Sequence, residues 1–499
     1  MVADEYSLSR TGGSVFVDLK SAVLSPTIGW ILLSLLGILW IVLGIYWGRK
    51  AKNVEGYMLA GRNVGLALGA ATAMATWVTS NTTMLAPQFA LQLGVWGMLA
   101  YSTASFGLFL FAPLAKRIRQ LMPTGYTSGD FIRLRYGRNA WLLFLLISIF
   151  YGFTWLISMG MAGGILMNAI TGIPYTVGMS VILFVCVAYT LFGGLYAVIG
   201  TDYIQSLIIL IGLVAVGAGV LTFTDFDEVH RNLSTENPML ISVLLPAAIM
   251  AFFNNLLFGI GEVFHSNVWW SRAFALREGV GKKAYTLAGI FWLPVPVAAG
   301  FFALSTGTLG INITSPDMVG PLVASRLLGQ VGAVIVFIVL FCSLASSIDS
   351  LLAATSDLIT EDIYRKLLKP AASEQNLRRM SAWIVVGLGV LTWLVCLPRI
   401  GTLATVLFFA GPMVGSTIWP IATGLFWKKA SPQGALWAMV LGSATGLIAY
   451  FWIGWYTASL IGAAVSMVVV LIATAFSKAT FDWQHLNESE AASIEGGGK

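Results

Sequence analysis

Apolar segments of about 20 residues recur along almost the whole chain, separated by short polar stretches. As an α-helix, each segment is long enough to cross a hydrocarbon core roughly 30 Å thick. Thirteen such segments fit between residues 27 and 476, the first from Thr27 to Trp47 and the last from Ser459 to Phe476. The pattern predicts an all-α polytopic membrane protein with 13 transmembrane helices.

The composition agrees with this prediction and argues against a soluble domain or a nucleic-acid-binding protein. Hydrophobic residues make up 58% of the chain and charged residues 10%, whereas a soluble domain has roughly a quarter charged residues. The formal charge of +6 does not indicate a nucleic-acid protein, because Lys and Arg cluster between the apolar segments. We expect a lipid bilayer as the surroundings, no nucleic-acid partner and no obligate protein partner.

The distribution of basic residues predicts an orientation. If the N-terminus is outside, the alternate loops that become cytoplasmic contain 23 of the 28 Lys and Arg residues, Arg272 among them. Cytoplasmic loops are enriched in Lys and Arg, so we expect N-out and C-in topology in the cell (inner) membrane. Residues 1–26 are then an external segment, 27–476 the transmembrane transporter domain and 477–499 a cytoplasmic tail.

The order of the helices suggests an internal repeat. Segments two to six and seven to eleven form two groups of five, at about residues 64–224 and 239–427. Two five-helix halves are the arrangement found in inverted-repeat secondary transporters.

A few polar side chains interrupt the apolar segments. Carboxylates deep in a bilayer are costly unless they are paired, hydrated or coordinating, so Asp202, Glu262 and Asp349 are functional candidates. Near Asp349, four serines spaced by three and four residues form one helical stripe: Ser343, Ser346, Ser347 and Ser350. Their oxygens suit a hard cation. Small residues also permit close helix packing, and both interpretations stay open.

A second polar cluster runs from Thr79 to Thr83 and is followed by Pro87. It fits poorly with a continuous lipid-facing helix, so we predict a break that exposes backbone carbonyls for a cation. Thr79, Asn81 and Thr82 are candidate solute ligands at this break. The alternative is that the hydroxyls bond back to their own helix.

The segment Met239 to Phe264 predicts a second broken or kinked helix, because it contains Pro246, the pair Asn254 and Asn255, and Gly259 with Gly261. The two asparagines either bind solute or satisfy the opened backbone. Enzyme chemistry is not expected, because the three cysteines lie in hydrophobic runs and the three histidines are scattered.

Three separated stretches resemble signatures of the sodium:solute symporter family. They are Tyr189 to Gln205, which contains Gly193, Gly194 and Asp202; Ser346 to Tyr364; and Gly424 to Gly442. The resemblance covers about residues 27 to 476. It implies the LeuT-type 5+5 inverted repeat with extra helices, the Thr27 helix being an additional leading one.

The resemblance also implies an ion site. The family's main sodium site lies between core helices one and eight, and its ligands carry over to the hydroxyls of Ser346 and Ser347 and the carbonyls of Ala75, Val78 and Ser343. A second sodium site is implied near Asp202, Asp349 and Ser350, although an aspartate at 349 departs from the family's usual small hydroxyl residue. Na⁺ is therefore the expected coupling ion.

The resemblance also indicates which class of solute to expect. Sugar carriers of the family have a glutamate where this chain has Tyr101, so a sugar is disfavoured and Tyr101 is a candidate solute ligand. The stretches Gly94 to Gly97, Lys116 to Gly137 and Val263 to Ala273 look similar to urea-active transporters, although Leu351 departs from that branch.

The expected function is sodium-coupled import of a small polar solute by alternating access, with urea as the first candidate. Open alternatives are another small solute (an amino acid, a monocarboxylate or a polyamine), proton coupling through Asp202 and Asp349, or a channel or sensor on the same scaffold.

Overall fold

Helix α1 (Pro26–Gly48) shows how the first apolar segment becomes a helix. Ser25 caps its N-terminus, its hydroxyl accepting a hydrogen bond from the Ile28 N–H at 3.4 Å, and Pro26 stands at the first turn, where no N–H donor is needed. The computed structural model describes residues 23–242, 244–308, 316–478 and 480–487. Residues 1–22 of the predicted external segment and 488–499 of the predicted tail lie outside this range.

The remaining α-helices follow in chain order. In the first half they are α2 (Val54–Leu59), α3 (Leu66–Trp77), α4 (Ser80–Ser102), α5 (Ser105–Leu121), α6 (Ser128–Tyr136), α7 (Arg138–Thr171) and α8 (Tyr175–Phe223). In the second half they are α9 (Phe226–Glu236), α10 (Pro246–His265), α11 (Asn267–Ala275), α12 (Gly281–Trp292), α13 (Pro294–Leu304), α14 (Val319–Leu358), α15 (Glu374–Cys396), α16 (Leu403–Phe409), α17 (Gly411–Ser416), α18 (Ile418–Phe426), α19 (Pro432–Trp452) and α20 (Trp455–Ala475). A π-helical segment, Ile359–Leu368, continues α14.

Among the described residues, eleven helical stretches are long and apolar enough to span a membrane. The prediction was thirteen, and the difference arises where predicted neighbours are joined without a loop, as in Ser80–Leu121 and Tyr175–Phe223. Each stretch contains one glycine with a positive φ, Gly94 (67°) or Gly194 (50°). Residues other than glycine rarely adopt this backbone conformation. The chain changes direction at these glycines rather than in a polar loop.

The predicted break in the first core helix is present. Helix α3 ends at Trp77, Val78 (ψ 77°) and Thr79 (ψ 167°) leave the helical conformation, and α4 begins at Ser80. A reciprocal pair of hydrogen bonds between Thr79 and Thr82 caps the new helix. The threonines of the polar cluster therefore start a helix at the point where the preceding one stops.

The second break lies later than predicted. Helix α10 is continuous through Asn254, Asn255 and the glycines, and the chain becomes extended only at Ser266 (φ −68°, ψ 130°). The glycines serve close packing: a Cβ on Gly259 would lie 2.6 Å from the Cα of Ala104, and one on Gly261 would lie 2.6 Å from the Val414 carbonyl oxygen. Pro246 stands in the first turn of α10, where proline is tolerated.

Candidate functional site

The break between α3 and α4 leaves backbone carbonyls available. In a continuous helix the Thr79 N–H would bond to the Ala75 carbonyl, but here it donates to Thr82 Oγ1 at 3.2 Å. The Thr82 hydroxyl in turn donates to the Trp77 carbonyl at 3.0 Å. The predicted ligands Ala75 and Val78 thus lie at a helix end, where carbonyl oxygens lack intrahelical partners.

The serine stripe of α14 faces this end of α3. The Ser347 hydroxyl donates to the Ser343 carbonyl at 2.8 Å and lies 3.2 Å from the Thr76 carbonyl, while Ser346 donates to Asp202 Oδ1 at 2.6 Å. All these side chains are buried. The structure therefore brings Ser343, Ser346 and Ser347 to the broken helix, and it adds the Thr76 carbonyl to the predicted set. An all-oxygen donor set of this kind fits Na⁺.

Asp202 lies beside the serines and belongs to a buried network with a basic residue. Its Oδ2 accepts hydrogen bonds from Thr72 Oγ1 at 2.5 Å and from Arg272 Nη2 at 3.2 Å. Arg272, on α11, is only 2% exposed. Arg272 was predicted in a loop between spans; it lies instead on α11, which follows the Ser266 break, and its side chain is buried in the protein core.

Asp349 and Ser350, predicted to join Asp202 in a second ion site, lie in the same buried cluster. The Tyr189 hydroxyl is 2.9 Å from Asp349 Oδ2, and Ser350 Oγ donates to Asp349 Oδ1 at 3.3 Å. Ser350 Oγ also accepts a hydrogen bond from Arg272 Nη2 at 2.7 Å. A guanidinium group thus lies between two members of the predicted second site.

A small cavity lies against the broken helix, on the side of Trp77 and Thr79. Five of the six predicted solute ligands line it: Thr79, Asn81, Thr82, Tyr101 and Asn255. The rest of the wall consists of residues that were not predicted as solute ligands: Trp77, Ala104, Tyr151, Trp155, Phe258, Trp292 and Leu407. None of these lining residues has an acidic or basic side chain.

Asn254 does not line the cavity. Its Oδ1 accepts hydrogen bonds from the backbone N–H groups of Ser459 (2.8 Å) and Leu460 (3.1 Å), and its Nδ2 donates to the Trp455 carbonyl at 3.3 Å. Asn254 therefore fastens α10 to the start of α20. The neighbouring Asn255 faces the cavity, with its Nδ2 donating to the carbonyls of Ala100 (2.8 Å) and Tyr101 (3.1 Å).

Two hydrogen-bond donors in the cavity wall have no partner among the described residues. The Ser158 hydroxyl donates to Asn81 Oδ1 at 3.0 Å and so orients the amide, while Asn81 Nδ2 is buried and unpaired. The indole N–H of Trp77 is also buried and unpaired. Unpaired buried donors are costly, so the wall is suited to a ligand that has an acceptor oxygen.

Aromatic rings enclose the cavity. The ring centroids of Trp269, Trp292 and Trp155 lie 5.2, 5.7 and 6.1 Å from that of Trp77. The indole N–H of Trp292 also donates a hydrogen bond to the Trp77 carbonyl at 2.5 Å. The aromatic residues on α7 and α12 carry no local motif, so only the fold reveals that they meet at the broken helix.

A second aromatic group packs against two residues of the cavity wall, Tyr101 and Phe258. The Phe89 ring stacks on Trp455 at 4.8 Å and lies 5.6 Å from the ring of Tyr101, while Phe408 is 4.6 Å from Phe258. We call Phe89, Phe408 and Trp455 the aromatic cap. The buried carboxylate Glu262 lies elsewhere, with its Oε1 accepting a hydrogen bond from Trp269 Nε1 at 3.0 Å.

Residues 57–442 match the sodium:solute symporter family. The chain is 29% identical to the urea-proton symporter DUR3 of Oryza sativa subsp. japonica over 79% of this chain and 60% of that protein. It is 28% identical to the osmoregulated proline transporter OpuE of Bacillus subtilis (strain 168) over 82% of this chain and 86% of that protein. The chain thus spans well under two thirds of the rice relative's length.

The fold is similar to that of a Na⁺-coupled sialic acid symporter solved in a substrate-bound outward-open state, with a TM-score of 0.74 and 17% identity over 91% of this chain and 98% of that one. The structural neighbours are LeuT-fold transporters, which confirms the predicted fold class at this level. Together with the apolar helices, the family match confirms a multi-pass integral membrane protein. The chain belongs to the sodium:solute symporter family.

Proposed function

We propose that this protein imports a small neutral polar solute together with sodium, and that urea is the first candidate solute. The observation that carries the proposal is a cavity lined by uncharged residues, with two unpaired donors, next to a broken helix whose end also contacts the buried oxygen cluster at Ser347. The urea-proton symporter among the relatives supports the choice of solute.

The cavity wall provides a basis for recognising urea. Asn81 Nδ2 and Trp77 Nε1 can donate to the carbonyl oxygen of the solute, while the hydroxyls of Thr79 and Tyr101 offer acceptors for its amide hydrogens. The planar rings of Trp77 and Trp292 suit a flat molecule. A solute with a net charge would lose its hydration without gaining a counter-charge from the wall, which is costly.

The broken helix couples the two sites. The Thr76 carbonyl contacts the Ser347 hydroxyl, and the predicted carbonyl ligands Ala75 and Val78 stand next to it at the same helix end, whereas Trp77 and Thr79 line the cavity. A sodium ion bound by the carbonyls would fix the backbone that positions the solute ligands. Each sodium ion crossing a potential of 100 mV would contribute roughly 2.3 kcal/mol to solute accumulation.

The proposal includes the predicted topology. With Gly94 and Gly194 as turns, the described helices are compatible with thirteen crossings and N-out, C-in orientation, with 27–476 as the transporter domain. The aromatic cap would then lie on the outer side of the cavity, and the Arg272 network on the cytoplasmic side. Alternating access would require these two closures to open in turn.

Proline is a second candidate solute. The relative from Bacillus subtilis is a proline transporter that this chain covers over 86% of its length. The first N–H groups of α4, at the break, carry a partial positive charge and could bind the carboxylate of proline. The relatives also leave the ion open, because the rice protein is named a urea-proton symporter.

A solute panel would test the proposal. The purified protein would be reconstituted in proteoliposomes with an inward sodium gradient, and uptake of labelled urea, proline and pantothenate would be compared. We expect concentrative uptake of urea, competed by excess unlabelled urea. If the protein accumulates proline but not urea, proline replaces urea as the proposed solute. If it accumulates none of the solutes, the proposal is rejected.

A further inference from the structure

Arg272 fills a position that the oxygen atoms around it would otherwise offer to a cation. Its Nη2 lies 2.7 Å from Thr76 Oγ1, 2.7 Å from Ser350 Oγ and 3.2 Å from Asp202 Oδ2, and its Nε lies 3.0 Å from Thr72 Oγ1. These partners come from α3, α8 and α14, three elements distant in sequence.

The remaining Arg272 nitrogen anchors the side chain to its own helix. Nη1 donates to the Val268 carbonyl at 3.0 Å, so every guanidinium nitrogen has an oxygen partner. The side chain is 2% exposed and Asp202 is fully buried. A buried charge of this kind is held in place because leaving either partner alone would be costly.

The oxygen set around the guanidinium is itself a plausible cation shell. It contains one carboxylate and three hydroxyls, from Asp202, Thr72, Thr76 and Ser350, which are the ligand types that hard cations prefer. A sodium ion in this shell and the Arg272 guanidinium would occupy the same space and neutralise the same carboxylate. The two are therefore mutually exclusive.

We infer that Arg272 is a tethered cation that replaces a second sodium ion at Asp202, so that each transport cycle binds a single sodium ion at the serine site. The inference rests on the proposed sodium coupling for its functional meaning. It makes Arg272 the residue that sets the ion stoichiometry, although it belongs to neither the serine site nor the solute cavity.

The test is to count bound sodium ions on the full-length protein in detergent with labelled Na⁺ at saturation. The native protein should bind one ion per chain. Arg272→Ala, which empties the shell and leaves the Asp202 carboxylate, should bind one more than the native protein. The double variant Arg272→Ala with Asp202→Asn, which removes the carboxylate as well, should return to the native number.

Two ions bound to the native protein would overturn the inference. So would an Arg272→Ala protein that is monodisperse and binds no more sodium than the native chain. Arg272→Gln, which keeps hydrogen-bond donors without the charge, gives the same comparison if the alanine variant does not fold. No ion on the native protein and one on Arg272→Ala would support the replacement of a sodium ion by Arg272, but would reject the proposed serine site and with it the count of one ion per cycle.

Discussion

The Ser347 hydroxyl lies 3.2 Å from the carbonyl oxygen of Thr76, a contact between α14 and the last turn of α3. The two residues are 271 positions apart in the chain. They meet where α3 breaks off before Thr79, and the solute cavity begins on the other face of the same break. The proposed ion ligands and the proposed solute ligands are thus connected through two or three backbone units.

Removing the two serine hydroxyls should impair sodium use. In Ser346→Ala with Ser347→Ala, the half-saturating sodium concentration for uptake should rise roughly tenfold or more, since about 1.4 kcal/mol of lost ion binding is a factor of ten. The measurement is uptake as a function of sodium concentration in proteoliposomes.

Ser343→Ala is the matched control for this pair. The Ser343 hydroxyl donates to the Val339 carbonyl of its own helix at 2.8 Å, and its proposed ion ligand is the backbone carbonyl, which alanine retains. The sodium dependence should therefore stay close to native. A shift as large in Ser343→Ala as in the double variant would point to helix packing rather than ion binding.

The two asparagines should separate solute affinity from stability. Asn81→Ala removes an unpaired donor from the cavity and should raise the half-saturating solute concentration roughly fivefold to tenfold, for a lost hydrogen bond of about 1 kcal/mol.

Asn254→Ala should instead leave solute affinity unchanged. It removes the amide that joins α10 to the start of α20 through Ser459, Leu460 and Trp455, which should lower the stability of the protein by about 0.5–1.5 kcal/mol. Thermal unfolding in detergent, alongside the uptake curves, distinguishes the two effects. Equal changes in affinity would contradict the assignment of Asn81 to the cavity.

Two glycines with the same backbone conformation should respond differently to alanine. Gly94 (φ 67°, ψ −146°) and Gly329 (φ 65°, ψ −162°) share a region that costs other residues about 1–3 kcal/mol. A Cβ on Gly94 would also collide with the Leu240 carbonyl, whereas Gly329 has nothing within 4 Å. Gly94→Ala should give no monodisperse peak in size-exclusion chromatography, because the protein does not fold. Gly329→Ala should remain monodisperse but unfold more easily than the native protein. Similar behaviour of both variants would contradict the close approach of the Leu240 carbonyl to Gly94.

Lys366 should be important for stability at the end of α14. Its ammonium contacts Asp130 and lies 3.0 Å from Asp362 Oδ1; both carboxylates are buried and Lys366 is half-buried. Lys366→Met should lower stability by about 1–3 kcal/mol, because the two buried carboxylates lose the cation that they share. Adding Asp130→Asn should recover part of the loss in thermal unfolding.

The same cluster should show a defined pH dependence. Burial alone would raise the pKa of Asp130, but Lys366 and the backbone N–H groups of Tyr126 and Thr127 lower it below its ordinary value of 3.8. A lowered pKa contributes stability that is fully present above the unfolded value and is lost as the pH falls through the folded one. Without Lys366, burial is no longer offset and the pKa of Asp130 in the variant should be higher than in the native protein. The difference in stability between the native protein and Lys366→Met should therefore be largest where Asp130 is ionised in both proteins, and should shrink as the pH falls and the variant takes up its proton first. An unchanged difference as the pH falls would mean that the ion pair is not the cause.

The membrane character, the first break and several residues of the cavity wall were predictable because they depend on local patterns. Apolar length predicts helices, and a run of hydroxyls before Pro87 predicts an interrupted one. The second break was misplaced, because the glycines Gly259 and Gly261 that suggested it are needed for close packing on other helices. A better signal was Ser266, whose side chain caps α11.

Arg272 could not be placed from the sequence. Its charge and its position after an apolar segment match a cytoplasmic loop, and the residues that hold it, Asp202 and Ser350, are 70 and 78 positions away. The aromatic wall of Trp155 and Trp292 was missed for the same reason, since tryptophans in apolar helices are common and only the fold brings these to one cavity.

Sodium dependence of concentrative uptake tests the central claim most directly. Native protein in proteoliposomes, with equal pH on both sides, would be given an inward gradient of sodium or of choline, and labelled urea inside would be measured at steady state. We predict accumulation above the external concentration with sodium and simple equilibration with choline. Equal accumulation with choline, or accumulation driven by a proton gradient in the absence of sodium, would contradict a sodium ion bound between the broken helix and the serine pair.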